Sequence, residues 1–343
     1  MTFSVAGYAV IPIRTDCGYA VPAIAGRLDL EGVSASVNLE LRECFLPDGL
    51  AACDACLSVL RLDGCRVEHS RGSAVAADRL SASLVALNGA TVAGQGAGGA
   101  VSLSGARITR IECDGADFSN DCGPALFAEA VQVEQDVLLS DGFEADGSGQ
   151  DGAVCLIGAR IGGQLDLTGA RLLNHDEHPG HVALNAARLA VAGDILGNNL
   201  TCCGEMRLDD AEVAGSVHLE GAHLSHSAEW PLTCQRLKAH ELVLLTAEPI
   251  EGADLRHAHI DLLRDDPKTW PQKLKLDGLT YGVLEPSGTS EQRRGWLARD
   301  ADYRPQPYEQ LASQYRQLGT DRPYPDENHG SRHAPMPMAQ ELP

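Results

Sequence analysis

The chain repeats itself. A small residue, a polar residue and then an aliphatic or Phe recur at Gly105-Ala106-Arg107-Ile108, Gly115-Ala116-Asp117-Phe118, Gly158-Ala159-Arg160-Ile161, Gly169-Ala170-Arg171-Leu172 and Gly221-Ala222-His223-Leu224. An aliphatic closes each unit at Val33, Leu57, Leu80, Ile108, Val131, Ile161, Leu189, Val213 and Leu237, with steps of 23 to 30 residues. Halfway marks fall at Phe45, Val67, Val92, Phe118, Phe143, Leu172, Leu200 and Leu224, so each unit has two related halves. A unit this short cannot bury its own apolar face and must stack on the next one.

Between the marks lie alternating runs such as Gln164-Leu165-Asp166-Leu167 and Ser216-Val217-His218-Leu219, whose period of two is that of a strand. Gly, Asp and Asn recur where corners are needed, which leaves no room for a long helix. The chain is 343 residues long with only 4% aromatics and 36 glycines, so the core is filled by stacked Leu, Val, Ile and Ala. These features predict an all-β protein, a right-handed parallel β-helix over residues 24–260. With strands about 4.8 Å apart, nine or ten coils make a rod on the order of 45 Å long. Residues 1–23 form an N-terminal cap.

From Pro307 the spacing becomes helical, with Tyr308, Leu311, Tyr315 and Leu318 on one face and Gly319 as a stop. A C-terminal cap over 261–320 with a helix near 306–318 is expected to cover the open end of the solenoid. The Pro-rich, polar tail 321–343 is expected to be disordered.

The three longest half-units, Val92 to Ile108, Phe143 to Ile161 and Leu172 to Leu189, share one phase of the coil. Their loops, 94–99, 144–152 and 174–181, are expected to emerge along one edge. Such an edge is either a protein-binding side or drift at a permissive corner.

A net charge of −21 argues against direct contact with nucleic acid or anionic membrane. The 11 cysteines are odd in number, and the apolar stretch Val5 to Ile13 lacks a basic n-region. No apolar run is long enough to span a bilayer. A reduced, cytoplasmic location is the expectation.

Four clusters invite chemistry. Gly94-x-Gly96-x-x-Gly99 matches a dinucleotide fingerprint, but Ala100-Val101-Ser102-Leu103 reads as a strand where a helix is required. Cys53-x-x-Cys56 with Cys65 lacks a fourth metal ligand, and Cys44 and Cys65 occupy the slot held by Ala in other repeats. His175, Asp176, Glu177, His178 and His181 crowd one loop, where His175, Asp176, His178 and His181 are weak metal candidates set against a solvated polar loop. His257 and His259 lie beside Asp254 and Asp261 without a nucleophile, and no Gly-x-Ser-x-Gly elbow or Walker loop occurs. No catalytic or cofactor-binding residue is assigned, and no cofactor is expected.

The run 158–172, with 183–189, Gly193-Asp194-Ile195-Leu196, Ala25-Gly26-Arg27-Leu28-Asp29-Leu30, Trp296-Leu297-Ala298-Arg299-Asp300 and 303–311, resembles a family of bacterial pentapeptide-like repeat proteins labelled membrane-associated oxidoreductase. The resemblance covers about residues 24–319 and implies the solenoid fold and, by its label, an oxidoreductase activity with no catalytic motif to carry over. Basic and apolar membrane segments that commonly follow the 303–308 motif in that family are replaced here by the polar tail.

The reading reached is a non-enzymatic acidic scaffold that meets a protein partner through the loop-bearing edge. The alternatives are an enzyme, either the oxidoreductase or a carbohydrate-active β-helix, and a DNA-mimicking modulator of a DNA-binding enzyme.

Overall fold

The structure, a computed structural model, describes residues 10–14, 20–35, 37–174, 181–224, 229–317 and 319. It is a parallel β-solenoid with three faces, built on sheets of 11, 14 and 10 strands, here faces I, II and III. The chain passes from face I to II to III in each coil up to His223–Leu224, the last strand of face III. One such circuit runs through Val101–Ser102, Arg107–Glu112 and Asp117–Asn120 before reaching face I again at Leu126–Phe127. Pairing between coils is parallel. The antiparallel pair among the described strands is the N-terminal Val10–Arg14 with Ala20–Ile24.

Strands of two to four residues dominate because each coil must turn three times, and hydrogen bonds continue through the corners. Leu30 N donates to Ala51 O at 2.7 Å and Ala52 N to Ala76 O at 2.6 Å. The inward ladder of face I runs from Leu28 through Leu50, Val75, Val101, Leu126, Val154, Leu184, Met206, Leu232 and Ala253 to Leu274, all buried.

The half-unit echo in the sequence has a different origin from two equal halves. The corner between faces I and II and that between II and III share one turn. Ala106 N donates to Leu103 O at 3.1 Å with Gly105 at φ 63°, and Ala116 N donates to Cys113 O at 3.1 Å with Gly115 at φ 63°. The corner between faces III and I has no such motif and varies in length.

The repeat marks also divide between two inward columns. At the I–II corner the stacked residues are Ala55, Leu80, Ala106, Val131, Ala159, Leu189, Ala211, Leu237, Ala258 and Leu279, small and large in turn. Two residues further on, face II stacks Ala82 against Ile108, then Val133, Ile161, Val191, Val213, Ala239 and Ile260. Leu80, Val131, Leu189 and Leu237 therefore belong to the corner column, whereas Ile108, Ile161 and Val213 belong to the strand column.

The II–III corner behaves alike. Cys44 and Cys65 hold the slot of Ala90, Ala116 and Ala170, as expected, but Phe143 and Leu200 hold it too. Volume is exchanged within the coil: Ala116 precedes Phe118, whereas Phe143 precedes Ala145 in the face III ladder. The two rings meet edge to face with centroids 5.3 Å apart. Phe45 is not in the ladder; its neighbour Leu46 is, paired with Val67.

Strand pairing continues past residue 260 through Lys273–Lys275 and Thr280–Glu285. Two helices close this end, α1 at Ser290–Leu297 and α2 at Pro305–Gln317. The second is the helix expected near 306–318. The first starts from a capping box in which Thr289 accepts from Gln292 N and the Gln292 side chain accepts from Thr289 N. Arg293 of α1 is fully buried and pairs in bidentate fashion with buried Asp265 at 2.7 and 2.8 Å. It also donates to Pro286 O at 2.6 Å and lies 5.3 and 5.5 Å from the Trp270 and Trp296 ring centroids. The tail 321–343 lies outside the described residues.

Candidate functional site

The three loops singled out from the sequence fall between face III and face I strands, and residues 175–180 of the third lie outside the described residues. The segment 94–99 joins Thr91–Gly94 to Val101–Ser102, the segment 144–152 includes the face III strand Glu144–Gly147, and 174–181 joins Arg171–Asn174 to Val182–Asn185. In correct register, however, Val92 to Val101 is one residue longer than Val67 to Val75 or Phe118 to Leu126. The marked excess is confined to Leu172 to Leu184, and the next coil, Cys202 to Met206, is as short as the early coil Leu46 to Leu50. The other excesses came from measuring between different columns.

This edge is held by two buried side chains. Asn120 Nδ2 donates to Gly96 O and Pro124 O, both at 2.8 Å, and Asn174 Nδ2 donates to Gly149 O at 3.0 Å and Val182 O at 2.6 Å. A cleft of about 230 Å³ opens beside Asn120, lined by Pro47, Glu68, His69, Gln95, Ser119 and Asp121 among others.

Gly94, Gly96 and Gly99 pack against neighbouring coils. A Cβ would lie 2.7 Å from Ala100 Cα at Gly94, 3.0 Å from Gly72 at Gly96 and 2.7 Å from Phe127 Cβ at Gly99. The glycines serve the approach of coils to one another, and a strand follows them.

His175, Asp176, Glu177 and His178 lie outside the described residues. His181 is described, half-buried, with its carbonyl accepting from Glu205 N at 2.8 Å. Among the described residues no group of three or more His, Cys, Asp or Glu is placed to hold a metal ion. The Cys53, Cys56 and Cys65 set is dispersed: Cys56 is exposed and Cys65 is buried in the core column, where its Sγ accepts from Cys44 N at 3.4 Å. Burial pushes the Cys65 and Cys155 thiols up to about 12 and those of Cys113, Cys202 and Cys234 upward as well, the reverse of what a reactive thiolate needs. His257 is a corner residue at φ 59°, and His259 begins a face II strand with Nδ1 2.5 Å from Thr280 Oγ1. Asp254 is buried against Arg256 at 2.7 Å, and Asp261 meets His240 at 3.1 Å, so these four side chains do not converge.

Many polar groups stitch coil to coil. Asn88 N donates to Asp63 Oδ1 at 3.1 Å, Asp114 N to Asn88 Oδ1 at 3.0 Å and Ser140 N to Asp114 Oδ1 at 3.1 Å, a ladder along the II–III corner. Ion pairs do the same elsewhere: Arg79–Asp54 at 2.6 Å, Arg171–Glu144 at 3.3 Å and Lys238–Glu212 at 2.7 Å.

One feature escaped the sequence reading. In four consecutive coils one extra residue separates the two inward positions of face II: Val133 to Val137, Ile161 to Leu165, Val191 to Ile195 and Val213 to Val217, against Ile108 to Ile111. Three of these coils break the strand there, and the fourth shifts register against its neighbour between Val213 and Ser216. These are stacked β-bulges. Asp136 Oδ1 accepts from Gln164 N at 3.1 Å and Asp194 Oδ1 from Ser216 N at 2.7 Å, which brings each carboxylate against the next coil. A Cβ at Gly163 or Gly215 would come within 2.2 Å of those same oxygens. An open groove of about 660 Å³ lies on face II over these four coils. The signal available in the sequence was Gly162-Gly163, Ala192-Gly193 and Ala214-Gly215, each directly after an inward aliphatic.

No helix among the described residues is long and apolar enough to cross a membrane. No family model, curated protein or solved structure matches the chain.

Proposed function

We propose that the protein is a non-enzymatic acidic scaffold that presents the III–I edge to a protein partner. The observation that carries this reading is that chain-length variation is gathered at one corner while the other two keep one hydrogen-bonded turn. The buried amides of Asn120 and Asn174 tie Gly96, Pro124, Gly149 and Val182 of that edge together, and contacts made in advance lower the ordering cost of binding.

A mimic of duplex DNA needs rows of free carboxylates. Asp54, Glu144, Asp210 and Glu212 are instead each paired with a cation of the following coil, which favours the scaffold over the mimic. The oxidoreductase alternative draws no support from 94–99, whose glycines are used in coil packing.

The test is a triple substitution, Glu68→Ala, Gln95→Ala and Asp121→Ala, compared with the parent chain in affinity capture of the native partner. The variant is expected to melt at the parent temperature and to lose the captured partner. Equal capture by parent and variant would remove the edge as the binding surface.

A further inference from the structure

The groove on face II lies across the coil from the III–I edge, and the inference drawn from it stands without the scaffold reading. Its floor is made largely of small residues, Gly162, Ala190, Ala192 and Ala214. Along the wall toward the I–II corner Lys238 is paired with Glu212, whereas Arg160 is not paired. Arg107 stands two coils from Arg160 in the same outward column, with Gln132 between them. Arg107 lines a smaller groove of about 320 Å³ that adjoins the first at Gln132 and Glu134.

Arg107 and Arg160 differ from most cations of the solenoid. Arg79 and Arg236 reach back one coil to Asp54 and Asp210, Arg171 to Glu144 and Lys238 to Glu212. Arg107 and Arg160 are exposed and make no ion pair among the described residues. Neither has an acidic residue stacked on it: Arg107 lies between Ser81 and Gln132, and Arg160 between Gln132 and Ala190. On a chain of net charge −21, two guanidinium groups without an ion-pair partner thus stand two coils apart on one outward column.

Charge complementarity calls for an acidic ligand, and the coil spacing selects its form. Two coils separate Arg107 from Arg160 by about 9.6 Å. A polyproline II segment returns to the same side every three residues, after about 9.3 Å. Its carboxylates at every third position would face both arginines while its proline rings rest on the small-residue floor. We propose that this pair of adjoining grooves binds a proline-rich acidic segment of a partner protein in the polyproline II conformation, with carboxylates three residues apart held by Arg107 and Arg160. A nucleic acid places a phosphate at every nucleotide, more charge than two arginines can meet.

The experiment is fluorescence anisotropy on the full chain with three labelled peptides: proline with Glu at every third position, the same with Lys, and one of equal composition with its Glu residues contiguous. The spaced acidic peptide should bind about tenfold tighter than either control, the size expected of two exposed charge pairs. Arg107→Glu with Arg160→Glu, both surface changes, should lose about tenfold for that peptide and gain for the lysine peptide, while Ala192→Leu should weaken both by filling the floor. Equal binding of the three peptides, indifference to the Arg107→Glu and Arg160→Glu pair, or equally tight competition by an oligothymidylate would each overturn the proposal.

Discussion

Leu80 and Ala82 follow one another inward on one coil, and the coil stacked on it reverses the sizes with Ala106 and Ile108. Large and small are thus exchanged between stacked coils as well as within one. Leu80→Ala is expected to cost about 2–5 kcal/mol through the lost methyl groups and the cavity left beside Ala55 and Ala106. Adding Ala82→Leu restores the composition of the coil but forces the larger side chain between Leu57 and Ile108, where overpacking costs a further 1–3 kcal/mol or so. Urea unfolding should therefore find the exchanged double variant no more stable than Leu80→Ala alone; recovery to parent stability would mean that coils do not interdigitate. The same geometry limited the sequence reading. The slot held by Cys44 and Cys65 was legible because small residues recur there, but an aliphatic is equally at home in the corner column and the strand column. Leu80 and Ile108 therefore passed for equivalents, and Phe45 for the ladder position held by Leu46.

At the scale of elements, α2 was legible because its apolar spacing of three and four residues changes the period of the chain, and it begins at Pro305. The shorter α1 was not, although Thr289 with Gln292 is a capping-box signature. The stacked bulges were hidden for another reason: one extra residue per coil is smaller than the variation at the III–I corner, so it vanishes in the repeat length. What fastens α1 to the solenoid is the Arg293–Asp265 pair, which is shut off from water and stacked on Trp270 and Trp296. Removing one partner leaves a buried charge uncompensated, so Arg293→Ala is expected to destabilise the protein by about 3–5 kcal/mol, whereas Arg293→Met with Asp265→Leu should recover most of that. Thermal or urea denaturation of the two variants checks this, and a double variant as unstable as the single one would show that the cap depends on the charges themselves.

For the whole molecule, repetition settles the architecture while composition says little about purpose. The period pointed to the solenoid because no unit can bury its face alone, and the acidic balance pointed away from nucleic acid. The groove and its unpaired arginines depend on which residues stack across coils, a relation set by register and invisible in a linear pattern. The central claim is that register: positions such as Ser81, Ala190, Lys238 and Thr280 belong to one outward column whatever their separation along the chain. Pulsed electron spin resonance on spin labels placed pairwise at Ser81 and each of the other three, with exposed Cys56 and Cys122 replaced by Ser, measures it directly. Distances should rise in proportion to the number of coils, near 19, 29 and 38 Å at about 4.8 Å per coil. Distances that scatter, or that fail to increase from Ala190 to Lys238 to Thr280, would contradict the stacked register on which the edge, the bulges and the groove all rest.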